Sequence, residues 1–223
     1  MSRRLAELLA LYLGTPLLLL VLPPLAERLL GIRLGMWVIP VLLVLATAVY
    51  AVAKARGALA PGELLRLDVP AREWGRMLLR FALCAALLTL LLRLHNPEAL
   101  FVFPRRNPRF WALVMVCYPV LSVTSQGVLY RWLFERRYAR LFSRTGGLVA
   151  GAALFSFAHI LFRNPFALVF TFAGGLLFLG SYRRTGSVLF SNVEHALYGD
   201  FLFTVGWGAY FFEGTQRLVQ TAL

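Results

Sequence analysis

Seven apolar runs, each near the length a helix needs to cross a bilayer, constrain this chain more than any other feature. A hydrocarbon core about 30 Å thick takes roughly 20 residues of α-helix, at about 1.5 Å of rise per residue. The runs are Leu5–Leu22, Met36–Ala53, Met77–Leu92, Phe110–Phe134, Leu148–Phe162, Phe166–Tyr182 and Val188–Phe212. The third and fifth are short for a span, so six is the neighbouring count. The expected fold is all-α, a polytopic membrane helix bundle of about seven transmembrane helices. Composition agrees, with 60% hydrophobic and 15% charged residues against roughly 45–50% and about 25% in a soluble domain. Packed membrane helices share one interior, so residues 1–223 read as a single integral membrane domain with no separate soluble unit.

Arg3 and Arg4 before a leucine-rich run resemble the start of a secretory signal, but no small-x-small cleavage site precedes Pro23-Pro24, and the run reads as a retained helix. With the N-terminus cytoplasmic, the inner segments hold thirteen basic residues: Arg3, Arg4, Lys54, Arg56, Arg66, Arg72, Arg76, Arg136, Arg137, Arg140, Arg144, Arg183 and Arg184. The outer segments hold eight: Arg28, Arg33, Arg93, Arg105, Arg106, Arg109, Arg163 and Arg217. The excess predicts a cytoplasmic N-terminus by the positive-inside rule. The net charge of +13 is spread over these loops without a compact patch of interleaved aromatics, which argues against nucleic-acid binding. Cys84 and Cys117 are far apart and form no C-x-x-C motif. They read as core packing rather than a disulfide or zinc knuckle. The longest polar connection, Lys54–Arg76, is punctuated by Gly57, Pro61, Gly62 and Pro70, with room for a short interfacial helix around Glu63–Leu67.

Ionisable groups inside membrane spans are costly, about 2.5 kcal/mol or more each, and so mark functional sites. Here they are Arg80, Arg131, His159, Glu194, His195 and Asp200, joined by the polar Gln126. Each histidine taken alone reads as a satisfied core hydrogen-bonder. Two histidines on separate spans, with an arginine on a third, point to a shared site. At 100° per residue Gly127 shares a face with Arg131 while Gln126 points largely away from it. On the last span His195 lies near Gly199 and Glu194 near Tyr198, whereas Asp200 is turned off the His195 face. The alternative for Arg131 and Arg80 is a side chain that snorkels to the interface.

The ordered set "QGVLYR", "FSFAH" (Phe155 to His159) and "EHALYGDFLFTVGWGAYFF" resembles the membrane-embedded CAAX prenyl protease and bacteriocin self-immunity family. That family shows E-E-x-x-x-R, F-x-x-x-H and H-x-x-x-(N/D) on three helices of a bundle. The resemblance spans residues 110 to 212. It implies an intramembrane endopeptidase, of metal-dependent or glutamate-dependent kind, acting on a membrane-associated or lipidated peptide. A glutamate would activate water, while the histidines and the amide or acid would orient it and stabilise the oxyanion. Arg131, His159 and His195 fit the motif positions. The glutamate positions hold Gln126 and Gly127, and the position four after His195 holds Gly199, so Asp200 would have to serve one residue later.

Gln126 can bond a water but cannot take its proton, and a missing general base costs about 10²–10⁴ in rate. Glu194, beside His195, is the acid able to substitute. Two function classes follow: an intramembrane endopeptidase using His159, His195, Arg131, Gln126, Glu194 and Asp200, or a catalytically inactive homologue that binds a membrane partner or lipid. The bilayer is the expected partner. No cofactor is expected, with zinc on the two histidines and Asp200 or Glu194 the variant to consider. No H-E-x-x-H or G-x-S-x-G is present, which argues against zincin and serine chemistries.

Overall fold

In a computed structural model the chain is described over residues 2–30 and 38–211. Arg33 and Arg217, and the run ends Met36 and Phe212, lie outside the described residues. Among those described there are helices and turns but no strand. Six helices are long and apolar enough to cross a membrane: α1 (Arg3–Leu30), α2 (Val38–Ala55), α3 (Ala71–His95), α4 (Pro108–Leu141), α5 (Arg144–Phe162) and α6 (Pro165–Thr185). The seventh run forms helix α7 (Val188–Val205), which is not among the six because Asn192, Glu194, His195 and Asp200 interrupt its apolar character. The first helix also continues past Pro23-Pro24 to Leu30, since membrane helices tolerate proline in their interior. Leucines such as Leu18, Leu29, Leu83 and Leu94 stand outward on α1 and α3, as lipid-facing positions do.

Local sequence sets the corners. After α5, Arg163 takes the left-handed conformation, Asn164 caps α6 by accepting from the Ala167 amide at 2.8 Å, and Pro165 opens the helix, where its missing N–H costs nothing. Gly186, at φ 65°, closes α6, and Ser187 caps α7 by accepting from the Phe190 amide at 3.0 Å. Gly175 stands against the Ala152 backbone, leaving no room for a side chain, so α5 and α6 pack closely through small residues.

Two helices widen from α to π geometry. Helix α1 widens into a π-helical turn at Ala10–Gly14, and α4 does so at Tyr118–Val123 and Val128–Tyr138. Tyr12, in the first of these, is buried and donates to the Leu129 carbonyl at 2.6 Å. It lies edge-on to Tyr130, Phe134 and Tyr138, anchoring the core between α1 and α4.

One end of the bundle gathers four connections that are distant in sequence. Arg137 on α4 is paired with Glu7 on α1. Arg136 donates to Glu63 at 2.5 Å and to the Ala58 carbonyl at 2.6 Å. Glu63 also accepts from the Trp132 indole at 2.9 Å, in a 3₁₀ turn at Glu63–Leu65 where the sequence left room for an interfacial helix. Arg183 reaches Glu135, and Arg184 reaches Glu73. The thirteen basic residues counted together from sequence therefore belong to segments that meet at this end.

Candidate active site

Residues of α4, α5, α6 and α7 converge on a cavity of about 480 Å³. Its walls are mostly aliphatic and aromatic side chains, several from α1, α2 and α3, such as Leu19, Leu42 and Leu87. Tyr118, Ser122, Gln126, His159 and His195 add polar groups. A largely apolar chamber with a few convergent polar groups is the usual form of a small-ligand site.

Behind the wall lies Arg131, 2% exposed. Its guanidinium donates to Asn192 Oδ1 at 2.8 Å and faces His195 Nδ1 at 3.3 and 3.4 Å. It lies 5.8 Å over the Phe178 ring, on which His195 is also stacked at 4.5 Å. A snorkelling arginine would reach water instead. Because a guanidinium can only donate, Nδ1 of His195 is the acceptor and Nε2 carries the proton. That Nε2 meets the Tyr118 hydroxyl at 3.0 Å.

His159 occupies the 3₁₀ end of α5, and its Nδ1 donates to the Phe155 carbonyl at 2.7 Å, which leaves Nε2 as an acceptor. The Phe155 ring lies between the two imidazoles, 4.8 Å from that of His159 and 5.5 Å from that of His195. Gln126 is buried with its Nε2 on Ser122 Oγ at 2.8 Å, while its Oε1 has no partner.

Two sequence-selected residues stand apart from this group. Glu194 is fully buried on another side of α7, where it accepts from Arg80 at 2.7 Å. Arg80, itself partly exposed, also donates to Ser181 at 3.1 Å, so this arginine is turned toward buried partners. Asp200 is half-buried and does not line the cavity, and its Oδ1 has no partner. Gly199 does line it, and a β-carbon there would collide with the Tyr118 phenol. A β-carbon at Gly127 would collide with the Asn192 amide. The two positions at which the motif expects polar side chains are thus filled by Tyr118 and Asn192 from other helices.

Residues 108–199 match the model of the family described as type II CAAX prenyl endopeptidase Rce1-like. This segment is similar to that family. It covers α4, α5, α6 and α7 as far as Gly199, and so contains Arg131, His159 and His195. No curated protein and no solved structure matches the chain.

Sequence reasoning passed over Tyr118 and Asn192, which complete the polar group of this segment. Asn192 had a readable signal, since it lies three residues before His195 and therefore on the same helical face. Tyr118 had none, because its place opposite Gly199 depends on how α4 and α7 pack. As for metal donors, both ring nitrogens of His195 are engaged. Among the described residues no three His, Cys, Asp or Glu side chains gather in one place. That donor set does not fit a zinc site with three protein ligands.

Proposed function

We propose that this CAAX-protease-like membrane protein uses its cavity to hold a membrane-associated or lipidated peptide, and hydrolyses it far more slowly than a glutamate-equipped peptidase would. One observation carries this reading: among the described residues no carboxylate lines the cavity. Gln126 and Gly127 stand at the motif's acidic positions, and Glu194 is engaged by Arg80. An amide oxygen can orient a water molecule but cannot accept its proton, and a missing general base costs about 10²–10⁴ in rate. The test is cleavage of a membrane-tethered peptide by the purified protein in proteoliposomes. The native chain turns over slowly or not at all, and Gln126→Glu raises the rate by about 10²-fold with His159 and His195 in place. Rapid cleavage by the native chain overturns the reading.

The second reading, an active intramembrane endopeptidase, is favoured by the free Nε2 of His159 on the cavity wall, which could take the proton from water. It requires native cleavage that His159→Ala abolishes and Gln126→Ala leaves unchanged.

We also propose that the basic end of the bundle, with the N-terminus, faces the cytoplasm. The gathering of the inner-loop arginines at one end supports this orientation. A cysteine introduced at Arg140 should be labelled by a membrane-impermeant reagent only after the cell membrane is opened.

A further inference from the structure

Beside Nε2 of His159, an acceptor, two further residues that line the cavity keep unused hydrogen-bonding capacity, and these two are complementary in kind. Gln126 is 6% exposed, and with its Nε2 committed to Ser122, its Oε1 is an acceptor with no donor. A buried acceptor left unmatched costs about as much as a lost hydrogen bond, so it favours any ligand that brings a donor. Tyr118 is the other. Arg131 forces Nδ1 of His195 to accept, so the proton on Nε2 is directed to the Tyr118 oxygen, and the phenolic proton remains to be given. Gly199 allows this, because any side chain there would take the place of the Tyr118 hydroxyl. Tyr118 therefore supplies from α4 the polar group that α7 lacks at position 199.

We infer that the polar wall of the cavity reads a secondary amide attached to an apolar chain, Gln126 Oε1 accepting from its N–H and the Tyr118 hydroxyl donating to its carbonyl. The inference rests on the cavity-binding reading above and adds to it the group that is recognised and the two side chains that discriminate. Gln126 and Tyr118 act here as specificity-determining residues, through bonds made in the bound state whether or not hydrolysis follows. The apolar remainder of the chamber takes the chain, which contributes affinity without selecting the head group.

The experiment uses the full chain in lipid nanodiscs, with empty nanodiscs as the baseline for partitioning. Two probes of equal chain length are compared, N-methyldodecanamide, which carries an N–H, and N,N-dimethyldodecanamide, which does not. The native protein should bind the first about tenfold more tightly. Gln126→Met should abolish that preference, and Gln126→Glu, which keeps an acceptor, should retain it. Tyr118→Phe should weaken both probes alike, by about five- to tenfold, and leave the preference intact. Thermal unfolding of each variant confirms that the bundle is formed. Equal binding of the two probes by the native protein, or a preference that survives Gln126→Met, overturns the amide inference alone. Binding of neither probe above the empty-nanodisc baseline overturns both it and the cavity-binding reading.

Discussion

Arg131 donates to Asn192 across 2.8 Å in the space that a side chain at position 127 would occupy. Gly127 is thus required by the pairing of two other residues rather than by its own backbone. Gly127→Ala should push the Asn192 amide off the guanidinium and destabilise the bundle by about 1–3 kcal/mol, read as a lower unfolding midpoint in detergent. Asn192→Gly in the same chain should recover part of that loss by freeing the space. A midpoint unchanged by Gly127→Ala would show that the two side chains do not compete.

The same relationship bears on restoring the acidic motif. Gly127→Glu alone meets Asn192 and should destabilise, whereas Gly127→Glu with Asn192→Ala lets the new carboxylate take the amide's place on Arg131. In proteoliposomes the Gln126→Glu, Gly127→Glu, Asn192→Ala chain should cleave at least as fast as Gln126→Glu, and its unfolding midpoint should exceed that of Gly127→Glu. A triple variant no more stable than Gly127→Glu would count against the exchange of partners.

The ion pair of Arg80 and Glu194 should behave as structure. Glu194 is fully buried, and removing one member of such a pair strands the other charge, at about 3–5 kcal/mol. Glu194→Gln and Arg80→Met should each lower the unfolding midpoint sharply, and Arg80→Met with Glu194→Leu should recover most of it. Binding of the dimethyl amide by folded protein should be unaffected. Were Glu194→Gln to leave stability intact and abolish peptide cleavage, Glu194 would be the base and the ion pair incidental.

Tyr12 tests the junction of the two widened helices. Its hydroxyl bonds the Leu129 carbonyl at 2.6 Å while its ring packs among three others. Tyr12→Phe keeps the ring and leaves a buried carbonyl short of a donor, so it should cost about 1 kcal/mol. Tyr12→Ala should cost about 3–5 kcal/mol, as emptying an aromatic core site does. Similar midpoints for the two variants would mean the ring contributes little.

Zinc analysis gives an independent check on the donor geometry. With His195 engaged at both nitrogens, protein purified without chelators should hold well under one zinc per chain. A tightly held stoichiometric zinc lost in His159→Ala would require His195 to turn away from Arg131 and Tyr118.

Much of the architecture was legible because in a membrane each helix must satisfy its own backbone hydrogen bonds, so length and apolarity locate the elements. The corners at Gly186 and Asn164 are set by residues adjacent in the chain, although the apolar runs alone do not mark them. Arg131, His159 and His195 were legible as a group because ionisable residues are rare in spans. The face shared by Gly127 and Arg131 also followed from helix geometry, and both meet Asn192.

What the sequence by itself determined is therefore which segments are helices and which polar residues they carry into the membrane. Tertiary structure alone decided which of those residues meet. Glu194 and His195 are adjacent in the chain, yet one turns to Arg80 on α3 and the other to Arg131 and Tyr118 on α4. Tyr118 and Asn192 fill places that the motif assigns to positions 199 and 127. A polar group buried among helices is held by whichever donor or acceptor the packing brings within about 3 Å, and that distance is set by contacts between helices far apart in sequence.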